Sequence, residues 1–206
     1  MITFEPIAHK HAREIAKLHV SGISTGFISS LGIDFVTSLY EAIAQSKDSF
    51  GFVAEEKHKI LGFVACTSNL KRLYKSVILK KGLRLGFLLA GKIFSFGAIK
   101  KVFETLLYPS RIKKMDLPCA ELISTVVAPE GRRKGLATQL LQKSFQECQK
   151  RRIDNVKVLV GAANEPANKL YLKCGFFLVG QIKNHGVISN IYVANTGKNR
   201  IDEKIP

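Results

Sequence analysis

The chain has 206 residues, 46% of them apolar and 23% charged, which suits one folded domain with a sizeable core and excludes a low-complexity or disordered polymer. A net charge of +16 favours anionic partners such as phosphorylated ligands, nucleic acid or a membrane surface, and disfavours a basic protein tail as substrate. No stretch reaches the roughly 18 uninterrupted apolar residues of a membrane span, and MITFEPIAHKHAREI has no signal-peptide apolar run.

Cys66, Cys119, Cys148 and Cys174 have no metal-ligand spacing and read as buried free thiols, so a reducing cytoplasm is the expected compartment. From the N-terminus, Ile2, Phe4 and Pro6 open an alternating strand, residues 9–20 follow as a helix, and LGIDFVTSLYEAIAQ has the spacing of a second. FGFVAEE and ILGFVACTS, joined by a polar KHK, predict a hairpin with an exposed His58 in its turn. Residues 71–118 form an insertion with twelve Lys and Arg against Glu104 and Asp116, a net of +10. Leu85, Leu88, Phe96, Ile99, Phe103 and Leu106 share one helical side there, although Gly82, Gly86, Gly91 and Gly97 weaken the helix. This segment reads either as a helical elaboration over the sheet or, across residues 80–107, as a basic, apolar surface for peripheral membrane contact. From Ala120 the order is strand (ELISTVV), turn, helix (137–152), strand (VKVLVG), helix (166–174) and two strands (FFLVGQI, VISNIYV). Ala137, Leu140, Leu141, Ser144, Phe145 and Cys148 make one buried stripe, and the strand–helix–strand crossover predicts parallel neighbours. A single domain over 1–194 with a flexible tail, 195–206, is expected.

The turn VVAPEGRRKGLA places Arg132, Arg133 and Lys134 where a helix begins, an unfavourable place for cations unless something anionic sits there. Amides at a helix start lack intrahelical partners, and Gly135 with the small Ala137 lets a ligand approach the backbone. A diphosphate fits this turn. Neither a Walker A motif nor GxGxxG is present.

Arg132-x-x-Gly135-x-Ala137 after an apolar strand resembles the pyrophosphate loop of the GNAT superfamily of N-acetyltransferases. Asn164-x-x-Ala167-x-x-Leu170-Tyr171-x-x-x-Gly175-Phe176 is similar to the superfamily's second signature. The resemblance covers residues 120–193 firmly and the preceding elements more loosely. Residues 71–118 have no counterpart in the common core. It implies an α/β (α+β) fold with a mixed, V-splayed sheet flanked by helices, the insertion preceding the central strand. It further implies acetyl-CoA as co-substrate and a primary amine as acceptor, with direct attack through a tetrahedral intermediate. By that resemblance the amides and cations of Arg132, Arg133, Lys134, Gly135, Leu136, Ala137 and Thr138 hold the pyrophosphate. Thr125, Val126 and Val127 meet the pantetheine arm and supply a backbone N–H to the developing oxyanion, and Asn164 hydrogen-bonds the pantetheine or a nearby water.

Tyr171 is either a core aromatic or the acid that protonates the departing thiolate, a task suited to a phenol. Glu121 is either a solvated strand-end carboxylate or the general base, with partial burial tuning it. His185, between the last two strands, is a secondary base candidate. No metal is expected. Charge alone suggests an anionic small-molecule acceptor, such as an amino sugar or envelope precursor, and a monomer or homodimer. The rival is a non-catalytic module that binds CoA or nucleic acid. Nucleic acid is disfavoured because the aromatics follow apolar runs and are not interleaved with cations.

Overall fold

A computed structural model describes residues 1–24, 26–90, 104–105, 115–184 and 186–197. Strand β1 (Thr3–Pro6) leads through a 3₁₀ turn into α1 (Ala12–Gly22), a short α2 (Phe27–Ser30) and α3 (Ile33–Ala44). Strands β2 (Ser49–Glu56) and β3 (Lys59–Thr67) form the expected hairpin, and α4 (Leu70–Ala90) follows. Strand β4 (Glu121–Val127), helix α5 (Leu136–Lys150), β5 (Asn155–Gly161), α6 (Glu165–Lys173), β6 (Phe177–Asn184) and β7 (Val187–Asn195) complete the described elements. The hairpin turn puts both Lys57 and His58 at positive φ (49° and 62°), the backbone of a tight two-residue turn that matches strand twist.

Among the described residues seven strands form one sheet in the order β1-β2-β3-β4-β5-β7-β6, antiparallel except for β4 beside β5. The parallel pair has a physical origin in the α5 crossover, whose buried face (Leu136, Leu140, Leu141, Ser144, Phe145 and Cys148) covers one side of the sheet. That stripe matches the one expected except that Leu136 takes the fully buried place given to Ala137, which is half-buried. A second core on the other face joins α1, α3 and α4 to β3 and β4. The mixed sheet flanked by helices is the fold class expected.

Helix α4 packs on α3 through Leu70, Leu73, Val77 and Leu85. It runs through Gly82 and Gly86 without a break, because this packing outweighs their low helix propensity. Lys81 reaches Glu41 of α3 at 2.7 Å, and Arg84 reaches it at 3.4 Å. Of the stripe expected in the insertion, Leu85 is buried and Leu88 half-buried, whereas Phe96, Ile99, Phe103 and Leu106 lie outside the described residues. So do His185 and residues 198–206 of the expected tail. Among the cysteines one correction is needed: Cys66, Cys148 and Cys174 are buried, but Cys119 is exposed in the approach to β4. No helix among the described residues is long and apolar enough to cross a membrane.

Candidate active site

Strands β4 and β5 are held together only at their starts, where Glu121 pairs with Lys157 and Leu122 with Val158. Beyond Leu122, β4 keeps β3 on one side and has no ladder to β5 on the other. A run of backbone donors and acceptors in Thr125, Val126 and Val127 therefore borders a cleft in the sheet, and an edge left unpaired among the described residues can accept an extended ligand as a further strand would.

A bulge sets which side chains face which way. Ala65 and Cys66 of β3 are consecutive, yet they oppose Ser124 and Leu122, so Ile123 is an extra residue in β4. Simple alternation would put Ser124 and Val126 on the side of Leu122. With the bulge, Glu121, Ile123 and Ser124 line one pocket and Val126 packs beneath α1, while Leu122 belongs to the opposite core. Thr125 turns the other way, toward Tyr171.

The loop after β4 is a single 3₁₀ turn (Pro129–Gly131), extended backbone at Arg132, and left-handed conformations at Arg133 (φ 61°) and Gly135 (φ 73°). Gly135 precedes the first residue of α5, and no side chain caps that end, so the amides of Leu136, Ala137 and Thr138 have no acceptor within the helix. Arg132, Arg133 and Lys134 are all exposed beside these amides. Arg132 Nε reaches back to the carbonyl of Val127 at 3.5 Å, and Lys59 of the hairpin holds Glu130 at 2.6 Å. Sequence reasoning passed over Gly131, where a Cβ would stand 3.0 Å from the Leu61 carbonyl oxygen. This close approach seats the loop on the hairpin.

Tyr171 is buried in the core that holds Phe145 and Phe176, its ring edge-on to Phe176 at 5.2 Å. Burial pushes its phenol up to about 12, and the nearby Thr125 hydroxyl works weakly the other way. The two hydroxyls interact without hydrogen-bonding geometry: Thr125 Oγ1 is buried and has no hydrogen-bond partner. Asn164 ends its strand–helix loop as the N-cap of α6, its Oδ1 accepting from the amide of Ala167 at 3.2 Å. Asn168, which sequence reasoning did not single out, is the buried hub beside it. Its Nδ2 donates to the carbonyls of Gly161 (3.0 Å) and Asn164 (2.7 Å), and its Oδ1 accepts from Asn190 and Tyr192, both at 2.8 Å.

Glu121 is no solvated strand end. It is buried, and its Oε2 lies 3.4 Å from Nζ of Lys157, itself only 2% exposed. The Lys157 ammonium also donates to the Pro118 carbonyl. Glu121 opens onto a cavity of about 310 Å³ between α1, α2, α3, α4 and the start of β4. Apolar side chains such as Ile23, Phe27, Leu39 and Leu70 dominate it. Three of its polar groups escaped the sequence reading. His19 Nδ1 and the Tyr40 hydroxyl are 2.8 Å apart, and burial lowers the imidazole to about 4, so His19 is neutral at physiological pH. Tyr74 of α4 is pushed up by burial and, secondarily, by the Glu121 carboxylate. Lys157 was legible only as the one cation in VKVLVG.

A separate group of metal-ligating type, Glu5, His11 and Glu55, lies at β1 and β2. His11 Nδ1 accepts the Ala8 N–H at 3.1 Å, so in the neutral ring Nε2 carries the proton and is a donor, not a ligand.

Comparison with known proteins gives the same frame. The model of the family described as "Acetyltransferase (GNAT) family" matches residues 24–176. None of the curated proteins matches. Solved structures share the fold at low identity. A ribosomal-protein alanine N-acetyltransferase from Escherichia coli is 15% identical with a TM-score of 0.60, covering 95% of this chain and 94% of its own. NAA60 of Arabidopsis thaliana, solved with acetyl-CoA, is 15% identical with a TM-score of 0.60, covering 96% and 100%. The PaiA N-acetyltransferase of Thermoplasma acidophilum, solved with coenzyme A, is 13% identical with a TM-score of 0.59, covering 95% and 99%. Split strands, an uncapped helix start ringed by cations and a match over residues 24–176 have one common explanation: this chain belongs to the GNAT family of acetyltransferases.

Proposed function

We propose that the protein transfers the acetyl group of acetyl-CoA to the primary amine of a compact, largely apolar small molecule held in the 310 Å³ cavity. The observation that carries this reading is the parting of β4 from β5 directly before the cation-ringed turn, with the cavity opening on the same strand. The residues present fit the co-substrate. Arg132, Arg133 and Lys134, with the amides through Thr138, hold the pyrophosphate. Thr125, Val126 and Val127 offer the free strand edge to the pantetheine, and the partnerless Thr125 hydroxyl gains a neighbour when the cleft fills. Asn164 keeps its Nδ2 available while its Oδ1 caps α6.

Acetyl-CoA supplies an acyl group already activated as a thioester. The chain's own groups then orient the amine and move protons. Tyr171, protonated at every physiological pH, donates to the departing thiolate. Glu121, a carboxylate paired with Lys157, accepts the proton from the amine and becomes neutral, while the Lys157 ammonium keeps its hydrogen bond to the Pro118 carbonyl. Among the described residues the cavity lining has no Lys or Arg to meet an anionic acceptor, which favours an aryl- or alkylamine over the anionic amino sugar suggested by net charge. Thiol release from acetyl-CoA with phenethylamine, glucosamine phosphate and a lysine peptide as acceptors tests the reading. Phenethylamine should give the highest kcat/KM. Preference for the sugar phosphate or the peptide would overturn the acceptor class. CoA binding without turnover of any amine would favour the non-catalytic module.

A further inference from the structure

We propose that the outer face of α4 docks on an anionic lipid surface. The helix is apolar on two opposite sides. One side, Leu70, Leu73, Val77 and Leu85, is spent on α3 and the sheet. On the other, Leu79, Leu83 and Phe87 stand at i, i+4 and i+8, 74%, 96% and 82% exposed, in a stripe about 12 Å long. Isolated exposed leucines are ordinary, but an aligned Leu-Leu-Phe stripe on one helix needs a partner.

The charges say which partner. Residues 70–90 contain six cations, Lys71, Arg72, Lys75, Lys80, Lys81 and Arg84, and no Asp or Glu. Lys80, Lys81 and Arg84 turn inward to α3, toward the Gln45 carbonyl and Glu41. Arg72 and Lys75, at i−7 and i−4 from Leu79, continue the outer stripe toward the N-terminus, and Lys71 lies beside them. Lys71 and Lys75 have no ion pair among the described residues. Apolar side chains continuous with solvated cations match the boundary of a membrane, where leucine and phenylalanine enter the acyl region and ammonium groups meet lipid phosphates. A second copy of the chain is a poorer occupant, since pairing this face with itself would bring together two sets of three outward cations, Lys71, Arg72 and Lys75, with no Asp or Glu on the helix to offset them. No helix of the described residues is long and apolar enough to cross a membrane, and the contact proposed here is a peripheral one. It stands independently of the acetyltransferase reading, because Leu79, Leu83 and Phe87 do not line the cavity. The same helix does give Leu70 and Tyr74 to the cavity, so docking would bring that pocket close to the lipid surface.

Co-sedimentation of the full chain with phosphatidylcholine vesicles, with and without about one-third phosphatidylglycerol, tests the proposal. Binding should require the anionic lipid. The double variant Leu83→Ser with Phe87→Ser should bind at least about tenfold more weakly, with CoA affinity and far-ultraviolet circular dichroism unchanged. Lys71→Gln with Lys75→Gln should weaken binding and flatten its salt dependence. The chain has no tryptophan, so Phe87→Trp supplies a single indole whose emission should shift to the blue on adding anionic vesicles and not neutral ones. The proposal fails if the wild type stays in the supernatant, if the serine variant binds as well as the wild type, or if the indole does not shift. It also fails if sedimentation velocity reveals a dimer that the serine variant dissociates, which would assign the face to a second copy.

Discussion

Replacing Lys157 by methionine probes the buried pair that holds Glu121, the proposed base, at the mouth of the proposed acceptor cavity. Lys157 is 2% exposed, lies 3.4 Å from Glu121 and also satisfies the Pro118 carbonyl. Methionine has nearly the same shape, so packing is kept while the buried carboxylate loses its named countercharge. Breaking a buried pair by removing one partner costs about 3–5 kcal/mol, a large share of the roughly 5–15 kcal/mol that stabilises a typical domain. With a urea m-value of about 2–3 kcal/mol/M, the midpoint should fall by roughly 1–2 M. Adding Glu121→Gln to Lys157→Met should recover most of the loss, because the amide leaves no unbalanced charge. Urea unfolding of wild type, both single variants and the double variant measures this coupling directly. The reasoning is refuted if Lys157→Met costs less than about 1 kcal/mol or if the double variant is no more stable than Lys157→Met alone.

Tyr171→Phe should lower kcat for acetyl transfer by about 100-fold while leaving CoA affinity unchanged and stability within about 1 kcal/mol, since the ring packing is retained; kinetics and calorimetry on one preparation separate the three. The His19 imidazole is lowered to about 4 by burial, so between that value and its ordinary 6.5 the unfolded chain binds the proton and the folded chain does not. Stability should therefore fall as pH drops from 6.5 to 4, by up to about 3 kcal/mol, and His19→Gln should flatten the profile. His11 is lowered as well and adds in the same direction. At Gly22 a Cβ would stand 2.4 Å from Val126 Cγ1, so Gly22→Ala should push α1 off β4, raise the acceptor KM and weaken CoA affinity, measured by steady-state kinetics and calorimetry.

Much of this architecture could be read from local pattern. The buried stripe of α5, the hairpin arms and the β4 boundaries appear where period and turn residues put them, because each is fixed by neighbours close in sequence. The geometry of the turn proposed to hold the diphosphate was legible for the same reason: an exposed Arg132, Arg133, Lys134 run before a helix and a glycine at φ 73° are local facts. The acceptor side was not. Lys157 reads as an odd cation in an apolar strand until the parallel register sets it opposite Glu121. His19 and Tyr40 look like separate helix positions until α1 and α3 cross. The bulge at Ile123, which turns Ser124 into the cavity and Thr125 toward Tyr171, exists only relative to β3 and leaves no composition signal in ELISTVV. Cys119 followed its apolar neighbours on paper, but the strand begins two residues later and leaves it in solvent.

Calorimetric titration of the purified chain with coenzyme A bears most directly on the central claim, that the turn before α5 grips the diphosphate. Left-handed backbone at position 135 costs a β-branched residue about 1–2 kcal/mol, and charge reversal removes the cations beside the free amides. The account predicts saturable heat for the wild type and affinity at least about tenfold weaker both in Gly135→Val and in Arg132→Glu with Arg133→Glu. Absence of heat from the folded wild type, or unchanged affinity in both variants, would contradict it.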